Sequence, residues 1–158
     1  YAHTDDALRK AIENLLGFGN SRIITVFGCG GDRDQGKRPL MGFVAATLSD
    51  VVIVTSDNPR SEEPLSIIGQ IEKGILHKDV TQITETELSS ARKGKAYCII
   101  PDRREAIETA VMAANPDDIV LIAGKGHEDY QIIGKERLFF DDRIAARESL
   151  AKRSEARL

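Results

Sequence analysis

The chain has no excess of basic charge: 22 Lys and Arg against 25 Asp and Glu leave a formal charge of -3 and a pI near 5.7. A protein built mainly to hold a phosphate backbone needs a broad basic surface, so nucleic acid is not an expected partner. No apolar run approaches the roughly 20 residues that cross a bilayer, and the first residues do not read as a charged-then-apolar signal segment. Membrane insertion is not expected, and the chain reads as cytoplasmic. Cysteine is scarce: Cys29 lies between glycines and Cys98 inside an apolar run, with no CxxC and no metal-ligand spacing. Both read as reduced, structural residues, and no metal site is expected. There is no internal repeat, no low-complexity tract and no initiator Met before Tyr1. The expectation is a fragment of a longer protein.

What is present suits one domain. A length of 158 residues with 41% hydrophobic content supports a single buried core. Thr4-Asp5-Asp6 supplies an N-cap and an acidic first turn, and Leu8, Ile12, Leu15 and Leu16 recur at helical spacing until the Gly17–Asn20 break. Ile23–Phe27 is a short apolar strand running into Gly28-Cys29-Gly30-Gly31, and Pro39 opens a helix through Leu48. The order repeats: strand Val51–Thr55, loop Ser56–Glu63, helix Pro64–Leu76 with Leu65, Ile68, Ile71 and Ile75 on one face. A third unit joins strand Tyr97–Ile100 to a helix near Asp102, and a fourth strand covers Ile119–Ala123. Between them Lys78–Lys95 is polar, with a weak strand around Gln82–Thr84.

Alternating buried strands and helices predict an α/β fold, a Rossmann-like, doubly wound and mostly parallel sheet with helices on both faces. Tyr130–Ile133 and Arg137–Phe140 flank Gly134-Lys135 and predict a hairpin with an antiparallel edge strand, giving about six strands in all, before a last helix from Asp141.

Ligands of an open parallel sheet bind beyond the carboxyl ends of the strands, which points to the loops after Phe27, Thr55, Ile100 and Ala123; the one after Ile100 is plain, with Asp102 as a helix cap, and the other three are chemically loaded. The first, Gly28–Pro39, is neither of two familiar phosphate loops. Arg33 occupies the third glycine position of a dinucleotide fingerprint, and Arg38 stands where a P-loop places Ser or Thr on magnesium. A glycine-rich, cation-bearing loop entering a helix N-terminus remains, suited to an anion, with a merely solvated turn as the bland alternative. In the second loop Asn58-Pro59 makes a rigid turn that fixes where Arg60 departs, and an arginine fork grips a carboxylate through two parallel bonds. The third, Gly124–Asp129, carries Glu128, suited to an ammonium group, beside His127, which reads as structural. Taken alone, each arginine is an ordinary solvated residue. Taken together, Arg33, Arg60 and Glu128 describe a site for a zwitterion.

These stretches, Tyr1-Ala2-His3-Thr4, the Gly28–Leu40 loop, Asp57-Asn58-Pro59-Arg60 and Gly124–Gln131, resemble the motif set of Mur ligases of the diaminopimelate-adding (MurE) type over nearly the whole chain. The resemblance implies a C-terminal, amino-acid-binding domain spanning 1–158, with N-terminal and central ATPase domains absent from this chain. It implies that Arg33, Asp57, Asn58, Arg60, Gly124 and Glu128 face meso-diaminopimelate. Asp-Asn-Pro-Arg is the family's mark for that amino acid rather than lysine; its second carboxylate would satisfy the Arg60 fork. Tyr1 and His3 resemble the hinge near the nucleotide, and Lys37 and Arg38 are further nucleotide-facing candidates.

The implied reaction is ATP-dependent: a D-glutamyl carboxylate of UDP-MurNAc-L-Ala-D-Glu becomes an acyl phosphate and the diaminopimelate amine attacks it. ATP and Mg2+ would be held mainly by the central domain, so this chain alone is expected not to turn over. Two departures stand out: Asp5 replaces a frequent proline, and Lys78–Lys95 looks longer than usual. Outside the family, a stand-alone small-molecule-binding module without catalysis and a purely structural domain are the alternatives.

Overall fold

Five successive residues of β1 (Ile23–Phe27) are all buried, the signature of a strand covered on both faces. The computed structural model describes residues 1–76, 79–90 and 94–158. Around β1 lies a five-stranded sheet in the order β3-β4-β2-β1-β5, built with β2 (Val51–Val54), β3 (Val80–Gln82), β4 (Lys95–Ile99) and β5 (Ile119–Ile122). Every pairing in it is parallel.

Alternation along the strands sorts side chains into two cores. Ile23, Phe27, Val52, Val54 and Tyr97 pack beneath α1 (Asp5–Leu16), α2 (Lys37–Leu48) and α3 (Pro64–Ile75). Ile24, Val26, Val51, Ile53 and Cys98 pack beneath α4 (Arg103–Ala113) and α5 (Asp142–Ala156). Each fully buried Leu or Ile contributes about 1.5–3 kcal/mol, and α1 supplies two such residues, Leu8 and Ile12. Its N-cap is Thr4, whose Oγ1 accepts from the Ala7 N–H at 3.1 Å. Both cysteines are free and buried, and burial pushes each thiol up to about 12. Among the described residues no helix is long and apolar enough to cross a membrane.

The α/β doubly wound architecture is as expected, with four differences. First, α2 starts at Lys37, two residues before Pro39. Proline is tolerated in a first turn, where backbone N–H groups have no intrahelical acceptor anyway. Second, Leu65 is 64% exposed and Ile67 takes its place beside Ile68, Ile71 and Ile75. Ile67, Ile71 and Ile75 recur every four residues, and at about 100° per residue Leu65 falls on the flank of that stripe. Third, the weak strand falls at Val80–Gln82 and pairs with β4. Of the polar Lys78–Lys95 stretch, Lys78 and residues 91–93 lie outside the described residues.

Fourth, the hairpin of β6 (Tyr130–Ile133) and β7 (Glu136–Phe139) forms its own two-stranded antiparallel sheet. The turn after β5 inserts a buried Lys125, which carries the chain across the strand ends to the loop after β2. There β6 is tied to Arg60 by Arg60 N–H to the Ile132 carbonyl at 3.0 Å and Gly134 N–H to the Arg60 carbonyl at 2.7 Å.

Candidate functional site

The loops that follow β1, β2 and β5 meet at the carboxyl end of the sheet. The first two lie backbone on backbone: Gly31 N–H donates to the Asn58 carbonyl at 2.8 Å. A Cβ on Gly31 would stand 1.8 Å from the Pro59 carbonyl oxygen, so only glycine permits the approach. Asp32, at φ 54°, tightens the same junction. Its carboxylate accepts from Ser61 Oγ at 2.5 Å and from Ser61 N–H at 3.3 Å, and these bonds hold it below the usual carboxylate range.

On this platform the two arginines converge. Arg60 adopts φ 52° and its Nη1 donates to the Gly31 carbonyl at 2.9 Å, while the exposed Arg33 donates to the Asp32 carbonyl at 2.9 Å. Both reach Gly30: a Cβ built there would lie 3.0 Å from Arg60 Nη1 and 3.7 Å from Arg33 Cγ. The Arg60 guanidinium and the Arg33 side-chain stem thus flank one glycine, and an arginine fork at such a corner suits carboxylate oxygens.

The acidic side is assembled around a residue that sequence reasoning did not select. Lys125 is fully buried, and its Nζ donates to Asn58 Oδ1 at 2.8 Å and to the Tyr130 carbonyl at 2.7 Å. The same ammonium is 3.1 Å from Asp57 Oδ1 and 3.8 Å from Glu128 Oε2. The Asp57 contact is an ion pair rather than an aligned hydrogen bond, since Oδ1 has no hydrogen-bond partner. Asn58 also accepts from Ile132 N–H at 3.0 Å and donates through Nδ2 to Glu128 Oε2 at 3.3 Å. Gly124, at φ 113°, lets the loop turn beside Asp57.

Of the expected residues, Arg33, Asn58, Arg60, Gly124 and Glu128 therefore lie on loops that touch one another: Arg33 and Arg60 beside Gly30, Asn58 bonded to Glu128, and Gly124 beside Asp57. Asp57 joins them with its carboxylate buried, turned toward Lys125 and His3. His3 spans the two acids, with Nδ1 3.9 Å from Asp57 Oδ2 and Nε2 3.7 Å from Glu128 Oε1. Tyr1 Oη lies 2.7 Å from His127 Nε2, which gives His127 a structural partner.

Arg38 does not face outward as expected. It is fully buried, and its guanidinium donates to Glu62, to Gln70 at 3.0 Å and to the Gly30 carbonyl at 2.9 Å, so it braces the glycine loop from within. Lys37 is half-buried at the start of α2.

A second unselected residue, Arg103, braces the site from behind. It is buried, pairs with Asp142 through two 2.7 Å bonds, and donates to the carbonyls of Ser56 at 3.1 Å and Ala123 at 3.0 Å. Those carbonyls immediately precede Asp57 and Gly124. For Lys125 the available signal was a lysine between two glycines at a strand end; for Arg103 there was none beyond its place after a helix cap.

Two side chains of the glycine loop are already engaged within the chain. Arg38 is committed to Glu62, and Asp34 Oδ1 already accepts from Gly36 N–H at the mouth of α2. Among the described residues no group of three or more His, Cys, Asp or Glu is placed to hold an ion.

The family model described as "Mur ligase, glutamate ligase domain" matches residues 1–126. A UDP-N-acetylmuramoyl-L-alanyl-D-glutamate--2,6-diaminopimelate ligase of Geobacter metallireducens is 51% identical over 143 residues, covering 90% of this chain and 28% of its own length. The protein of the same name from Clostridioides difficile is 47% identical over 152 residues, covering 96% and 28%. A solved structure of a ligase so named superposes with a TM-score of 0.81 at 41% identity, over 98% of this chain and 28% of that one. The chain thus spans a little over a quarter of the length of these relatives. With its family model matched across the five-stranded sheet and the site loops after β1 and β2, the chain belongs to the Mur ligase family, as a glutamate ligase domain.

Proposed function

We propose that this chain is the amino-acid-binding part of an ATP-dependent ligase that adds meso-2,6-diaminopimelate to UDP-MurNAc-L-Ala-D-Glu in the cytoplasm. The observation that carries the reading is the convergence of Arg33 and Arg60 over Gly30, on the same loops that place Asn58 and Glu128. Diaminopimelate bears two carboxylates and two ammonium groups, and the crevice offers two guanidinium forks on one side and a carboxylate on the other. Lysine has one carboxylate and would leave a fork unsatisfied. The names of the relatives point to the same substrate.

In this reading Arg33 and Arg60 hold carboxylates, Asn58 donates beside them, and Glu128 receives an ammonium. The chain's contribution to rate is orientation: it fixes an attacking amine against a carboxyl group activated elsewhere in the protein. ATP and Mg2+ belong to other domains of the longer protein, as does the UDP-sugar, and no step through them is assigned to this chain. Tyr1, His3 and Lys37 lie at the edge where such a domain would close.

The test is phosphate release by the longer protein with ATP, magnesium and UDP-MurNAc-L-Ala-D-Glu, comparing meso-diaminopimelate with L-lysine, in wild type and Arg60→Ala. We expect a preference for diaminopimelate of about 100-fold or more that collapses in the variant. Equal use of lysine by the wild type would sink the substrate assignment, and no ligation of either amino acid would sink the function.

A further inference from the structure

The buried ammonium of Lys125 does more than neutralise its neighbours, because together with Ile132 N–H and Glu128 it fixes which way the Asn58 amide points. Two groups converge on one terminal atom of Asn58: Lys125 Nζ at 2.8 Å and Ile132 N–H at 3.0 Å. An ammonium and a backbone N–H only donate, so that atom must be the amide oxygen. The NH2 group is left facing Glu128 Oε2 at 3.3 Å, and a carboxylate only accepts. Every partner therefore excludes the flipped amide, which is the form of evidence by which such orientations are assigned. A space-filling role does not call for a lysine here. An apolar side chain would fill the volume without the desolvation of a charge, yet this position is fully buried and pairs with Asp57 as well.

We propose that Lys125 is a positioning residue of the site, holding Asn58 so that Nδ2 is presented as a donor between Glu128 and the ligand. One Nδ2 hydrogen is directed at Glu128, and the other has no protein acceptor among the described residues. Lys125 thereby sets the boundary between the carboxylate-binding and ammonium-binding ends of the crevice. The identity of the ligand rests on the function proposed above; the amide orientation does not.

The experiment is a double-mutant cycle on the affinity of the longer protein for meso-diaminopimelate, measured by calorimetry for Lys125→Met, Asn58→Asp and the two combined. Asn58→Asp keeps an oxygen toward Lys125 and places a second one where the donor was. Each single change is expected to raise the Kd at least tenfold, and the pair no further than the worse single, because both act through one donor. Multiplying losses in the double variant, or a Kd within twofold of wild type in Lys125→Met, overturns the proposal.

Should Lys125→Met fail to fold, side-chain NMR of the wild-type protein decides the matter. On titration with meso-diaminopimelate the Asn58 NH2 signals must move together with the Arg60 guanidinium signal. If Arg60 responds and Asn58 does not, the role of Lys125 is overturned while the function stands. If neither responds, it is the proposed function that fails.

Discussion

Arg60 combines two demands that normally conflict. A non-glycine residue at φ 52° is held in the left-handed region at a cost of about 1–2 kcal/mol. The cost is tolerated because both backbone groups are tied to the hairpin, N–H to Ile132 and carbonyl to Gly134 N–H. A glycine at this position would relieve the strain but remove the guanidinium. Stability and recognition should therefore separate in two truncations. Arg60→Ala keeps the strained backbone and loses the fork, whereas Arg60→Gly loses the fork and the strain together. We expect Arg60→Gly to be the more stable of the two by about 1 kcal/mol, or roughly 2–4 °C in Tm, with both equally poor at holding diaminopimelate. Thermal melts of the two variants side by side check this; equal melting temperatures would show that the conformation at Arg60 carries no strain.

Among the elements, α5 begins with the clearest electrostatic device. Asp141 caps it, accepting from Arg143 N–H at 2.8 Å, and its carboxylate also takes Arg143 Nε at 3.0 Å and Nη2 at 2.7 Å. The Arg143 side chain, foremost, and backbone N–H groups hold the Asp141 carboxyl down at about 2. A carboxyl lowered from about 3.9 in the unfolded chain stabilises the fold above that value and ceases to do so as the pH falls toward 2. Asp141→Asn retains a good N-cap but has no charge to titrate. Melts from pH 6 to pH 2 should therefore show wild type more stable than Asp141→Asn at pH 6, with the gap closing between about pH 4 and pH 2. A gap that stays constant would show that the pair with Arg143 adds nothing to the cap.

Elements of this kind were legible in the sequence because their signals are local. Val and Ile runs ended by glycine or Ser-Asp mark β1 and β2 to within a residue, and Thr4, Asp102 and Asp141 mark helix starts. The site loops were legible for the same reason, since strand ends and their arginines are adjacent in the chain. The hairpin's separate sheet, the exposed Leu65 and the inward Arg38 were not. Each is decided by partners far away in sequence: Arg38 by Glu62 and Gln70, and the hairpin by Arg60. Lys125 and Arg103 escaped for a sharper version of that reason. A charged side chain is buried only when distant groups converge on it, and no local pattern announces that Asn58 will meet Lys125.

At the scale of the whole molecule, Arg103 joins what the strand order separates. Its guanidinium holds the carbonyl ends of β2 and β5, which lie on opposite sides of β1, and fastens both to Asp142 at the start of α5. The family match ends at residue 126, so the acid that completes this brace comes from the last helix, outside the matched region. Removing one member of a buried ion pair leaves the other charged and unpartnered, at a cost of about 3–5 kcal/mol, whereas replacing both with apolar residues costs much less. Arg103→Met should therefore lower the stability measured in urea by about that amount, and Arg103→Met with Asp142→Leu should recover a substantial part of it. The recovered double variant should still bind diaminopimelate more weakly than wild type, because the Ser56 and Ala123 carbonyls that anchor the two site loops have lost their common donor. Losses that simply add in the double variant would mean that α5 is fastened to the sheet by its apolar contacts alone and that the loops before Asp57 and Gly124 are placed independently of each other.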